Sequence, residues 1–164
     1  MKTETIILAF SILFTGLMSG IFFTWTNAVT PGIGKLSDLG YLNALQSMNR
    51  VILNAGFRIV FIGAVIAVAL VPLFYYNAFP NYLFWIFIAV FVIYWVGAFG
   101  VTFLGNIPLN RMLDNTDLET ISIENAKTLR IAIESKWNNL NLIRTISSGI
   151  SFLVLVVSFL SINK

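Results

Sequence analysis

The 164-residue chain contains no cysteine and no histidine. The first absence removes disulfides and thiol redox chemistry. The two together remove Cys/His zinc sites, haem held through its usual axial ligands, and iron–sulfur clusters. Without imidazole, an acid–base step near neutral pH must use a carboxylate, a lysine, a tyrosine or water. Charge is scarce as well: Asp, Glu, Lys and Arg make up 10% of the chain, against 58% hydrophobic residues. With a mean hydropathy of +0.88, the chain falls outside the soluble globular class and inside the membrane class. The net charge of +3 lies mainly in loops beside apolar runs, where basic residues report topology. No loop carries a basic stripe with interleaved aromatics, so nucleic acid is not an expected partner.

Four apolar stretches are long enough to cross a hydrocarbon core of about 30 Å as helices of about 20 residues. The first runs from Thr5 to about Trp25. Lys2 ahead of it also allows a cleaved signal peptide, but the apolar run continues through Phe22, Phe23 and Trp25 without a small-x-small site, which favours a retained span. Gly16 and Gly20 make a G-x-x-x-G, a seam for close approach within the chain or between two copies. Asn27 to Gly34, N-A-V-T-P-G-I-G, is rich in breakers and is expected to end this span. The second span follows Arg58, from Ile59 to about Tyr76, with Pro72 near its far end. The short connection Asn77 to Asn81 makes it an antiparallel partner of the third span, Tyr82 to Leu104, and Tyr75, Tyr76, Tyr82 and Trp85 form an aromatic belt around it. The third span is expected to end in T-F-L-G-N-I-P-L-N, Thr102 to Asn110, where Gly105 and Pro108 break the helix and two asparagines stay near membrane depth. The fourth is Leu142 to Ile162.

Both long loops carry amphipathic helices. In the first, Ser37 and Asp38 can cap a helix in which Leu39, Leu42, Leu45, Met48 and Ile52 recur at helical spacing. Asn43, Gln46, Arg50 and Asn54 form its polar line. That line either lies in water at the interface or turns Gln46 or Asn49 into a pocket. In the second, Thr116 and Glu119 fit a capping box, and Ala126, Leu129, Ile133, Trp137 and Leu140 make an apolar stripe. No break precedes the fourth span, so one long helix is expected. Arg130 and Glu134 are an i, i+4 pair, worth about 0.3–0.5 kcal/mol if solvated. The fold class is all-α: an integral membrane four-helix bundle, residues 1–164 forming one membrane domain, with amphipathic helices in the two long loops on one side.

The stretch W-N-N-L-N-L-I-R-T-I-S-S, Trp137 to Ser148, carries the polar chemistry. Glu134, Trp137, Asn141, Arg144 and Ser148 share one helical face at the mouth of a span. A charge there is costly unless it pairs, reaches water or lines a polar cavity, so the face is a candidate site. If the first loop's helix closes over the bundle, Gln46, Asn49, Asn106, Asn110, Trp137, Asn141 and Arg144 converge at one mouth.

The order and spacing of four motifs resembles a known family. G-L-M-S-G-I-F-F near the start, Q-S-M-N-R in the first long loop, G-N-I-P-L-N-R-M-L after the third span and W-N-N-L-N-L-I-R-T before the fourth are similar to the small four-span membrane proteins that include anthrone oxygenases. Bacterial members are mostly described as a domain of unknown function. The family's polar signature falls on Gln46, Asn49, Asn106, Pro108, Asn110, Trp137, Asn141, Arg144 and Thr145. The resemblance implies oxidation of an anthrone to an anthraquinone by dioxygen with no metal, flavin or other cofactor. In that scheme Arg144 and Asn141 hold an oxyanion, Trp137 stacks on a planar substrate, and Glu134 is the nearest carboxylate to serve as base.

Two functional readings remain. One is a membrane protein whose pocket, formed by Gln46, Asn49, Asn106, Asn110 and Trp137, binds a lipid, a quinone-like molecule or another lipophilic aromatic, or which supports a partner membrane protein or a second copy of itself. The other is a cofactor-independent oxygenase with Arg144, Asn141 and Glu134 as its reacting groups. A transporter is disfavoured, because no span carries a charge at its middle and no internal repeat is present. Four spans place Lys2 and Lys164 on one side and the other eight Lys and Arg residues on the opposite side. This predicts an inner (plasma) membrane protein with cytoplasmic long loops and outward termini. Because the chain lacks cysteine, a single Thr120→Cys variant tests this directly. An impermeant maleimide is expected to label it in inverted vesicles and not in intact cells.

Overall fold

The computed structural model describes residues 2–77 and 81–162. Lys164 and most of the expected 77–81 turn lie outside the described residues. Among those described, all regular structure is helical. Four long helices, α1 (Thr3–Ile33), α3 (Ala55–Phe74), α4 (Tyr82–Asp114) and α5 (Ile123–Ile162), are apolar and long enough to cross a bilayer. The shorter α2 (Asp38–Ile52) lies between α1 and α3. This is the multi-pass helical bundle that composition called for.

The bundle closes as a ring, in which α1 packs on α3 and α5 while α4 packs on the same two neighbours. Each helix buries one face. On α1 the buried side chains are Leu8, Ser11, Thr15, Met18 and Phe22, and on α5 they include Trp137, Asn141, Arg144, Ser148, Ser151 and Leu155. Both series keep the three- and four-residue steps of a single helical face. The opposite faces, carrying Phe10, Leu13 and Leu17 on α1 and Ile59, Ile62 and Ile66 on α3, are exposed. Such continuous apolar surface is stable against hydrocarbon and not against water.

The serine hydroxyls and Thr15 inside the bundle bond within their own helices, whereas the buried Tyr94 hydroxyl has no partner among the described residues. Ser11 donates to the Ile7 carbonyl at 2.8 Å, Thr15 to Ser11 at 2.6 Å, Ser148 to Arg144 at 2.7 Å and Ser158 to Val154 at 2.8 Å. They make slim contact surfaces rather than polar sites. Gly16 packs against the Phe152 ring within the chain, whereas Gly20 has open space beside it. The G-x-x-x-G is therefore an internal seam at one of its two glycines.

Two expected helix ends are corrected. The breaker-rich segment after Trp25 does not end α1, and Gly105 and Pro108 do not end α4. In both places the helix continues through a π-helical turn, Trp25–Val29 in α1 and Thr102–Asn106 in α4, with a further π-helical stretch at Trp95–Gly100. Pro31 and Pro108 each fall in the first turn of the α-helical segment after the π turn, where the missing N–H removes little. The wider turn also alters the phase of the helix. Tyr94, Ala98, Thr102 and Asn106, four residues apart, all remain buried, because i→i+5 bonding adds a residue to each turn.

The end of the bundle is covered by α2, whose Tyr41, Leu42 and Leu45 bury against Leu113, Ile133 and Trp137 in a second small core. Ser37 caps this helix through the Gly40 N–H at 3.2 Å, as its sequence suggested. The Thr116/Glu119 capping box does not form. Asp117 instead accepts from the Glu119 N–H and the Thr120 hydroxyl in a turn, which hold its carboxyl below the usual range. Ser122 caps α5 through the Asn125 N–H. From Ile123 the helix then runs unbroken for 40 residues.

Helix α4 lies close against α5 at Gly97, where an added Cβ would collide with Ser147 Oγ and lie 2.6 Å from Ser147 Cβ. Gly97→Ala is expected to force this crossing apart at a cost of about 1–3 kcal/mol, measured as a lower melting temperature in detergent. Gly20→Ala, with nothing to meet, should leave the melting temperature unchanged.

Candidate ligand-binding site

At the α2 end of the bundle a cavity of about 320 Å³ opens between all five helices. Its walls carry seven aromatic side chains among aliphatic and amide ones. Phe57 and Phe61 on α3 stack at 5.7 Å, Phe61 meets Phe99 of α4 at 6.1 Å, and Phe99 meets Phe103 at 4.7 Å. Across from this ladder, Trp25 and Trp137 lie 5.0 Å apart. The volume is at the small end of ligand pockets, about 300–1,000 Å³, and suits one compact molecule.

Arg144 supplies the only buried charge on these walls. Its side chain is 7% exposed, and the guanidinium carbon sits 4.5 Å from the Phe22 ring centroid and 5.4 Å from that of Trp137. One terminal nitrogen donates to Asn141 Oδ1 at 2.7 Å and the other, weakly, to Thr102 Oγ1 at 3.4 Å. The Nε–H has no partner, and among the described residues no carboxylate pairs with this cation. Faces of aromatic rings return about 2 kcal/mol when a cation is desolvated, which does not offset the several kcal/mol lost on removing it from water.

Asn141 is fixed from behind. Its Nδ2 donates to the Phe22 carbonyl at 3.1 Å and to Thr26 Oγ1 at 2.7 Å, leaving Oδ1 aimed at Arg144. The side chain thus positions the guanidinium without lining the cavity. Trp137 donates its indole N–H to Asn110 Oδ1 at 2.8 Å, and Asn106 reaches the Trp137 carbonyl at 3.4 Å. Asn106 Oδ1 and Asn49 Nδ2 are buried without partners. Three residues of the cavity wall thus each carry a buried polar atom without a partner among the described residues, one of them a cationic N–H.

Of the residues singled out by sequence, Asn49, Asn106, Asn110, Trp137 and Arg144 line this cavity. Gln46 does not: its Nε2 donates to the Leu113 and Thr116 carbonyls at 2.8 and 3.3 Å, tying α2 to the end of α4. Glu134 is also elsewhere. Arg130 binds it through Nε at 2.7 Å and through a terminal nitrogen at 3.3 Å, and reaches Asp38 and the Gly34 and Leu36 carbonyls as well. Arg130 also covers the Tyr41 ring at 4.7 Å, and burial followed by the Glu134 carboxylate pushes the Tyr41 phenol above its ordinary range. The expected isolated ion pair is thus a latch that joins α5 to the α1–α2 connection. Sequence reasoning missed Phe22, Phe57, Phe99 and Thr102. Aromatic residues in spans carry no signal that separates a cavity wall from a lipid anchor, and the inward turn of Thr102 depends on π-helical phase.

A family model described as "Anthrone oxygenase" matches residues 50–154, more than half of the chain and all of α3 and α4. No curated protein and no solved structure matches it.

Trp137→Phe keeps the ring and removes the N–H that satisfies Asn110. The expected cost is about 1–3 kcal/mol in detergent melting, with Trp137→Phe/Asn110→Leu recovering part of it because both polar partners are then gone.

Proposed function

The chain belongs to the anthrone oxygenase family, and from that premise we propose that its cavity binds a flat, lipophilic aromatic compound whose oxygen is held, as an anion, by Arg144. The observation that carries this reading is the buried guanidinium with a free Nε–H and no carboxylate among the described residues. A cation so placed lowers the pKa of an acid that binds beside it, because the anion gains a partner and the neutral form does not. The ring ladder from Phe57 to Phe103 faces Trp25 and Trp137 across a slot suited to a planar body. Asn49 Nδ2 and Asn106 Oδ1 offer a donor and an acceptor to further oxygens on its edge.

For an anthrone-type substrate the acidic group is the methylene para-disposed to the carbonyl across the central ring. Loss of one proton gives an enolate whose oxygen faces Arg144 and whose carbon is electron-rich. Dioxygen adds at that carbon. Both methylene hydrogens leave with one oxygen atom as water, and the other oxygen atom remains as the new carbonyl. The cavity walls hold no carboxylate, lysine or tyrosine, and Glu134 is engaged by Arg130, so we assign the proton to water at the mouth and the acidification to Arg144. Electrostatic stabilisation of the enolate is then the protein's main contribution. A binding role without turnover shares the first step and lacks the oxygen consumption.

The test uses anthrone in the absence of oxygen, read by quenching of Trp25 and Trp137, followed by oxygen uptake on aeration. Asn141→Asp places a carboxylate against Arg144 at nearly the same volume, while giving up the Nδ2 bond to the Phe22 carbonyl. It is expected to weaken anthrone binding about 10- to 100-fold, the worth of one charge-assisted hydrogen bond, measured on folded protein below its melting temperature. Arg144→Met should abolish both quenching and uptake. Anthrone binding that survives in both variants rejects the assignment of Arg144, and binding without uptake in the wild-type chain leaves a binding protein.

A further inference from the structure

The cavity has walls that are also outer surface. Ile62 and Phe103 line it, yet they are 54% and 50% exposed. On α3, Ile62 belongs to the outward row Ile59, Ile62, Ile66 and Leu73, and on α4 Phe103 belongs to the row Trp85, Val92, Val96 and Phe103. These are the faces that hydrocarbon must cover. The two helices also separate towards this end. Helix α3 packs on the Tyr82–Tyr94 part of α4; from Trp95 onward the closer backbone neighbour is α5, and α4 still reaches α3 through the Trp95 indole N–H, which donates to the Val65 carbonyl at 3.3 Å, and through the Phe99 ring. Phe61 and Phe99, in contact at 6.1 Å, mark the last ring contact before the gap. Arg58, exposed on the waterward side of the cavity wall and without an ion-pair partner among the described residues, sets the depth. A cation at the start of a span extends to the interface, so Ile62, one turn further in, lies about 6 Å deeper at 1.5 Å per residue.

We propose that the cavity is filled sideways from the bilayer, through a gap between α3 and α4 edged by Arg58, Ile62 and Phe103, and that its ligand is a membrane-dissolved aromatic which reaches Arg144 without passing through water. The inference rests on the cavity being the ligand site, and it adds where the ligand comes from. It also accounts for the site's position: an anion formed at Arg144 stays beneath the cover of α2, while the neutral molecule exchanges with lipid.

The absence of cysteine allows a test that needs no ligand. Val65→Cys and Thr102→Cys, both on cavity walls, are reconstituted singly in phosphatidylcholine vesicles with Leu155→Cys as a buried position away from the cavity. Each is exposed to N-dodecylmaleimide, dissolved in the bilayer, or to a sulfonated maleimide present on both sides. The dodecyl chain concentrates its reagent in lipid, so the cavity cysteines should react at least about tenfold faster with it than Leu155→Cys does, and not with the sulfonated reagent. Adding Ile62→Trp, which narrows the gap, should slow that labelling without altering melting. Labelling of the cavity positions by the sulfonated reagent at an equal rate overturns the proposal in favour of an aqueous mouth. Failure of both reagents at both positions in folded protein overturns it in favour of a closed cavity. Either result can coexist with anthrone quenching of the tryptophans, so failure of the route and failure of the site reading are distinguishable.

Discussion

The arrangement at the mouth of the bundle depends on one buried guanidinium. Removing Arg144 from water costs several kcal/mol, and the protein returns part of it with the Phe22 and Trp137 ring faces and one short hydrogen bond from Asn141. It returns none of it with a carboxylate among the described residues. Deeper in the bundle, Ser11, Thr15 and Ser158 bond their own helix carbonyls and need nothing else. Around the cavity, Arg144 Nε, Asn106 Oδ1 and Asn49 Nδ2 are left without partners. Buried polar atoms without partners among the described residues also occur away from the cavity, at the Tyr41 and Tyr94 hydroxyls and Asn138 Oδ1. What sets the cavity apart is that three such atoms, one of them cationic, belong to residues of a single wall.

Two of the helices that wall the cavity carry π-helical turns. Regular α-geometry across Trp95 to Asn106 would rotate successive four-residue steps off the inner face. The wider turns keep Thr102 and Asn106 pointing inward. On α1 the turn at Trp25–Val29 brings Thr26 to Asn141, which in turn aims at Arg144. Such insertions are often found at functional sites because they reorient side chains without ending the helix. The π-helical part of α4 packs on α5, while Trp95 keeps a hydrogen bond to the Val65 carbonyl of α3.

A bilayer is the other half of the structure. The outward rows of isoleucine, leucine and phenylalanine are exposed on the chain and suit a hydrocarbon surround, and α2 caps one end of the bundle. Arg130 holds this cap by gripping Glu134, Asp38 and two backbone carbonyls, while Gln46 and the Arg50–Asp114 pair tie its far side to α4. The acidic groups of the cap are thereby drawn into structural work at the surface. Arg144 remains a cation facing an apolar slot, the electrostatic setting in which a neutral acid becomes an anion.

Hydropathy by itself determined the class of protein, the four long helices and the continuity of α5, because burying about 20 apolar residues in lipid outweighs any local preference. The 3.6-residue period also placed Trp137, Asn141, Arg144 and Ser148 on one buried face. Glu134 lies on that same face in sequence, yet a neighbouring arginine holds it outside the cavity, and Gln46 is likewise spent on carbonyls. Which polar residue reaches the cavity depends on partners far apart in the chain. The breakers Pro31, Gly105 and Pro108 signalled helix ends, whereas the fold absorbed them in π turns stabilised by packing on neighbouring helices. The sequence determined what is buried; only the tertiary structure decided which buried polar atoms remain unpaired, because pairing is a matter of distance between helices and not of order along one.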